Sequence, residues 1–318
     1  MVGRPVTERA VVVLASFMLD LVAHVPRRPR PGESVLGADF GMFVGGKGCN
    51  QAIAAARLGA RVRVIGRLGD DLFAPPFFEA LAREHIDAAW VVRDAAAGTG
   101  VAMPLIEPGG QNSIVAIPRA NGRVTEEQVR AAADALDGAA ALLAQFEVPL
   151  AAVVAALELA RARGVRTLLN PAPAPEPAPP LDAPWWRLVD VLLPNEREAE
   201  SLTGIAVEDL DGAERAGRAL LEAGCGSVVV TLGGRGALWL PGAGQEAVAI
   251  EPFAVEQVDA TAAGDAFCGA LVASLVEGYA MPEALRRAGA AGALAVTRLG
   301  AEPSLPRRDE VEALLAQA

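Results

Sequence analysis

Short apolar runs alternate with Ala/Leu-rich stretches along most of this chain, and no other feature restricts the possible folds so strongly. The runs are VVVLAS (11–16), RVRVIG (61–66), ALLAQF (141–146), VRTLLN (165–170), VDVLLP (189–194) and SVVVTL (227–232). Their length and apolar content suit strands buried on both faces. Most are separated by stretches with helical spacing, three of which close on a glycine at the expected C-terminal cap: NQAIAAARLGA on Gly59, LAAVVAALELARARG on Gly164 and ERAGRALLEAGCG on Gly224. Such a chain is expected to be α/β and doubly wound, with a mostly parallel sheet and helices on both faces.

Two segments break the rhythm. PGESVLGADFGMFVGG (31–46) lies between the first strand and the first helix, and TGVAMPLIEPGGQNSIVAIP (99–118) carries an EPGGQN turn between two extended runs, as in a hairpin. Because they are inserted where open α/β folds bind ligands, they predict a small β lid, with surface decoration as the alternative. The expected division is residues 1–17, 45–98 and 119–318 in the α/β body, and 18–44 and 99–118 in the lid. The proline-rich NPAPAPEPAPPLDAPWW (170–186) is expected to run as a stiff, polyproline-like surface connection.

Composition narrows the partners. The 318 residues carry 28 Lys plus Arg against 39 Asp plus Glu, a net charge of −11 that repels a phosphate backbone. A small molecule is expected rather than nucleic acid. Cys49, Cys225 and Cys268 show no CxxC spacing and the two histidines lie far apart, which suggests neither a disulfide framework nor a zinc site and fits a reducing cytoplasm. The apolar run at 10–19 loosely imitates a signal segment, but Glu8 and Asp20 bracket it and it is too short to span a membrane. It reads as a buried first strand, with no membrane partner.

Four stretches carry candidate chemistry. GMFVGGKGCNQ (41–51) nearly spells a nucleotide-binding loop, yet Gly48 stands where the magnesium-holding hydroxyl belongs. Its MFV suits a lid strand, Gly45 and Gly46 allow close backbone approach, and Lys47 and Asn50 offer polar contacts at a helix start. In VDATAAGDAFCGAL (258–271), Ala262, Ala263 and Gly264 lead into a helix near Asp265, so amides and helix dipole would converge on an anion; a merely stabilising Asp in a first turn is the alternative. In LLPNEREAESLTG (192–204), Asn195 and Glu198 form a capping pair that is also compatible with a hydrated magnesium ion. The glycines of VTLGGRGALWL (230–240) either approach a phosphate chain or turn into the next strand.

Together with QFEVP, NPAPA and AVTRLGAEPS, and in this order, these motifs resemble the ribokinase-like (PfkB) family of carbohydrate kinases over nearly the whole chain. The resemblance implies a doubly wound α/β/α domain with a β lid, often used for homodimerisation. It implies ATP-dependent phosphorylation of the primary hydroxyl of a pentose, D-ribose to ribose 5-phosphate. Asp265 would be the catalytic base, and the amides of Ala262, Ala263 and Gly264 the anion hole. Asn195 and Glu198 would lie near Mg2+ and the phosphates, Thr231 and Gly233 at the ATP. Gly45, Gly46, Lys47 and Asn50, with Asp20 and Glu147, would hold the sugar. Asp259, Thr261, Ala295, Gly300 and Ser304 would surround a monovalent cation, usually potassium.

Departures qualify the substrate. Met18 stands where many bacterial members carry Asn, two residues before the sugar-binding Asp20, and Arg119 stands where glycine is common. Arg119 reads as a solvated surface charge or as a residue altering which substrate fits. A nucleoside, fructose or 2-keto-3-deoxygluconate is the alternative substrate, and a non-catalytic sugar-binding regulator the alternative class; the latter would be expected to lose Asp265 or the small residues before it. A dinucleotide-binding oxidoreductase lacks its GxGxxG after the first strand.

Overall fold

A computed structural model describes residues 9–108, 112–174 and 176–317. Strands β1 (Ala10–Leu14), β4 (Arg61–Gly69), β5 (Asp87–Asp94), β8 (Ala139–Gln145), β9 (Arg166–Asn170), β10 (Val191–Leu192), β11 (Ser227–Thr231), β12 (Ala237–Leu240) and β13 (Val248–Ile250) form one sheet. Their order is β13-β12-β11-β10-β9-β8-β1-β4-β5, parallel from β11 through β5 and antiparallel at the β12 and β13 edge. All six apolar runs fall on strands of this sheet. Strand β12 and the edge strands β5 and β13 were not among them.

Helices cover both faces. Strand β1 shows why: Val11 and Val13 enter one core while Val12 and Leu14 enter the other, and all four are fully buried. The first core is completed by α1 (Lys47–Arg57), α2 (Pro75–Arg83), α7 (Ala263–Val276), α8 (Met281–Ala295) and α9 (Arg308–Gln317). The second is completed by α3 (Glu126–Ala131), α4 (Leu150–Ala162), α5 (Glu196–Thr203) and α6 (Leu210–Ala223). From β1 the chain winds outward to β4 and β5, whereas from β8 it winds the opposite way through β11. The strand order therefore reverses between β1 and β8, and a crevice opens at their carboxyl ends.

Above that crevice stands a second sheet, β2 (Met18–His24), β3 (Asp39–Gly45), β6 (Gly100–Ile106) and β7 (Asn112–Ile117), in the order β3-β2-β6-β7. It contains the two segments that interrupt the βα rhythm. Residues 109–111 of the expected EPGGQN turn lie outside the described residues; β6 and β7 pair antiparallel on either side of it. The proline-rich segment departs from a plain surface connection. Ala172 is buried and its carbonyl accepts the Phe146 amide at 2.9 Å, so the segment starts inside the fold, beside the crevice.

Candidate active site

Helix α1 starts at Lys47 with no side-chain cap of its own, since Gly46 precedes it at φ 94°. Its first amides are satisfied from elsewhere: Lys47 N–H donates to Glu147 Oε2 at 2.8 Å, Gly48 N–H to Ser16 Oγ at 3.0 Å, and Cys49 N–H to the Ser16 carbonyl at 3.0 Å. Ser16 Oγ itself donates to Glu147 Oε2 at 2.6 Å. Anion-binding helix starts need free amides, and these are consumed within the protein. GGKG is thus no phosphate loop. Gly48 is required for another reason, because a Cβ there would lie 2.5 Å from the Ser16 nitrogen and 2.6 Å from the Ala15 Cα.

Helix α7 presents the opposite case. It begins at Ala263 after Ala262, which holds a left-handed φ of 60°. The amides of Ala262, Gly264 and Asp265 have no acceptor among the described residues, and that of Ala263 makes only a long turn bond of 3.4 Å to Ala260. These donors line a cavity of about 210 Å³ together with Lys47, Glu198 and Asp265. The amides leading into α7 are thus open, where those of Lys47, Gly48 and Cys49 are taken.

Asp265 is buried, and each carboxylate oxygen accepts an amide: Asn50 Nδ2 donates to Oδ2 and Gln51 Nε2 to Oδ1, both at 3.0 Å. Burial raises its pKa, opposed by the Lys47 charge and by these two donors. Lys47 shares the cavity; burial alone would lower its pKa, but Asp265, Glu147 and Glu198 hold it above the ordinary value. Asp20, on β2, is pushed up to about 7 by burial and then by the Glu147 and Asp265 charges. It stands against β3 so closely that a Cβ at Gly45 would come within 2.5 Å of its Oδ2.

Asn195 and Glu198 keep both expected roles within reach. Asn195 Oδ1 accepts the Glu198 amide at 2.8 Å, Glu198 Oε2 accepts the Asn195 amide at 3.0 Å, and both side chains line the same cavity. Burial raises the Glu198 pKa. Thr231, bridged to Asn195 at the end of β11, borders this cavity and a neighbouring one of about 360 Å³. The second shares Ala263 and Gly264, and Phe253, Val255, Phe267 and Val296 give it an apolar wall. Gly233 lines it and starts the turn into β12.

Asp259 clasps two loops. Its Oδ1 accepts the Thr261 amide at 2.9 Å and hydroxyl at 2.6 Å, and its Oδ2 accepts the Gly300 amide at 2.9 Å. The Val296 carbonyl, next after Ala295 at the end of α8, accepts the Val258 and Asp259 amides, and Ser304 sits in the turn that follows Gly300.

Two expectations gain detail. Asn50 Nδ2 gives one of its two protons to Asp265, and its Oδ1 is buried and unpartnered. Arg119 is an exposed charge, as read from the sequence, and is also tied down: it donates to the Thr99 carbonyl at 3.0 Å, lies 3.5 Å from the Asp71 carboxylate, and lies where a Cβ at Gly98 would collide with it. Ser16, Gln51 and Asn170 are site residues that motif reading passed over. Their signal was positional, since Ser16 and Asn170 end or follow predicted strands and Gln51 follows Asn50.

The profile described as pfkB family carbohydrate kinase matches residues 8–308. The chain belongs to this family. Like other pfkB kinases it pairs a doubly wound body with a small sheet. Ribokinase of Mus musculus is 38% identical over 314 residues, covering 97% of this chain and 96% of the relative. Deoxyribokinase of Salmonella typhi is 33% identical over 306 residues, covering 96% and 98%. The solved structure of Arabidopsis thaliana ribokinase complexed with ribose and ATP superposes with a TM-score of 0.86 at 29% identity, covering 97% of this chain and 99% of that one.

Proposed function

We propose that this carbohydrate kinase transfers the γ-phosphoryl group of ATP to the primary hydroxyl of a pentose, D-ribose giving D-ribose 5-phosphate. The observation that carries the reading is one buried carboxylate, Asp265, set beside unclaimed amides and facing Lys47. Asp265 takes the hydroxyl proton as that oxygen forms its bond to the γ-phosphorus and the bond to the β-phosphate oxygen breaks. The amides of Ala262, Ala263 and Gly264 stabilise the charge on the transferring group, and Lys47, which lines the same cavity, helps neutralise it. Asp20, Gly45, Gly46, Asn50 and Glu147 are assigned to the sugar end. Thr231 and Gly233 are assigned to ATP, whose adenine suits the apolar cavity.

A hydrated magnesium ion fits Glu198, a carboxylate whose pKa is raised by burial against the lowering effect of the Asn195 donors and the Lys47 charge. Among the described residues no cluster of three or more His, Cys, Asp or Glu could hold a metal, so water and phosphate oxygens would complete the shell. Held by Asn195 and Glu198, the ion would offset phosphate charge. A potassium ion suits the oxygen-rich junction of Asp259, Thr261, Ala295, Gly300 and Ser304, beside the anion hole.

The division into body and lid (18–44 and 99–118) and homodimerisation through the lid belong to the same reading. Strand registers place Phe40, Met42, Met103, Val115 and Ile117, each more than a third exposed, on the lid face opposite Asp20. A second copy would cover that apolar face. A cytoplasmic location suits three free, buried cysteines, and no described helix is long and apolar enough to cross a membrane.

An ADP-release screen tests the substrate. Purified protein with ATP and magnesium, with and without potassium, is expected to turn over ribose in preference to deoxyribose, fructose and nucleosides, faster with potassium. Activity on a nucleoside with none on ribose would overturn the choice.

A further inference from the structure

We propose that Gln51 is the positioning residue for Asp265, fixing the carboxylate's orientation and ionised form through a one-way chain of amide donors that runs on to Asn170 and Glu198. The inference rests on the reading of Asp265 as the base. Gln51 is fully buried and its Nε2 donates to Asp265 Oδ1 and to Asn170 Oδ1, both at 3.0 Å. Asn170 Nδ2 in turn donates to the Leu193 carbonyl at 2.8 Å and to Glu198 Oε2 at 3.5 Å. Each amide nitrogen has two protons, and both are engaged at each link.

The direction of the chain is fixed by its ends. Both termini are carboxylates, which accept, so neither amide can flip without setting oxygen against oxygen. Gln51 Oε1 is left buried with no partner, the cost of pointing both protons at acceptors. One donor on each oxygen of Asp265, Asn50 on Oδ2 and Gln51 on Oδ1, locks the carboxylate plane and leaves lone pairs for an incoming hydroxyl.

Packing holds the donor still. A Cβ on Gly269 of α7 would lie 2.6 Å from the Ala54 Cβ and 2.7 Å from the Gln51 carbonyl of α1, so the two helices touch at backbone distance one turn beyond the site. The charged and titratable groups facing Asp265 are Lys47 and Cys49 from α1, Asp20 from β2, Glu147 after β8, Glu198 from α5 and Cys268 from α7 itself. Three of these are carboxyl groups that oppose ionisation of Asp265 and only Lys47 is a cation. Neutral donors therefore matter more here than in an open site.

The test compares wild type, Gln51→Leu, Asp265→Asn and the double variant by steady-state kinetics with ATP, magnesium and ribose, across pH. Gln51→Leu keeps volume and removes both donors. It is expected to lower kcat roughly tenfold to a hundredfold, with KM little changed, and to move the acid limb of kcat/KM upward by about one to two pH units. Asp265→Asn alone should lose roughly 10²- to 10⁴-fold in kcat, and adding Gln51→Leu to it should cost almost nothing more. If Gln51→Leu folds poorly, Gln51→Met carries the same prediction with an unbranched side chain. Wild-type kcat and an unmoved acid limb in the Gln51 variant, beside an impaired Asp265→Asn, would overturn the positioning role and leave the base intact. An equal further loss in the double variant would also overturn it, because Gln51 would then act elsewhere. Near-normal turnover of Asp265→Asn would remove the base assignment, and this inference with it.

Discussion

Asp20 shows how a single residue links site and stability. Its carboxyl is held at about 7 in the folded protein against an ordinary 3.8, so the folded state keeps a proton that the unfolded chain releases. The resulting stabilisation is fully present below pH 4 and is lost as pH rises through 7. Relative to wild type, Asp20→Asn should therefore gain stability steadily between pH 4 and pH 8, as read by urea unfolding of both proteins at each pH; a gap that does not change with pH would contradict the shift. At this scale the sequence was legible wherever a residue type is rare in its context, as with Asp265 after three small residues or Asn195 three before Glu198. Gln51 and Asn170 were not, because a buried amide becomes functional only through what it faces, and those partners lie 214 and 119 residues away from Gln51.

Helix α1 explains why a near-miss of a phosphate loop was informative. Its amides are filled by Ser16 and Glu147, and its first turn rests on the end of β1 so closely that only glycine fits at 48. Gly48→Ala would press a methyl group into backbone atoms that cannot move aside. It should destabilise the protein by about 1–3 kcal/mol and raise KM for the sugar, measured by chemical denaturation and initial rates; unchanged stability would contradict the close packing. The central strands were legible because burial on both faces leaves a continuous apolar run. β5, whose DAAWVVRD is largely exposed, and the exposed three-residue β13 lack that pattern, while β12 carries it over only four residues.

At the scale of the whole molecule, the reversal of strand order between β1 and β8 gathers Ser16, Lys47 and Glu147 at one crevice. The lid brings Asp20 over it, and the free amides of α7 come from more than two hundred residues further on. The two insertions were visible as interruptions of the βα alternation, whereas their outer face emerged only from strand register. Charges placed on that face, Phe40→Glu with Val115→Glu, should convert a homodimer to monomer in sedimentation velocity; a wild-type protein that sediments as a monomer at every concentration would contradict the dimer. The central claim is phosphoryl transfer to a sugar's primary hydroxyl at Asp265. Its most direct measurement is phosphorus–proton correlation NMR of the product formed from ribose, ATP and magnesium. The account predicts a phosphorus signal coupled to the two C5 protons, absent with Asp265→Asn. A phosphate coupled to C1, or ADP formed without any sugar phosphate, would contradict it.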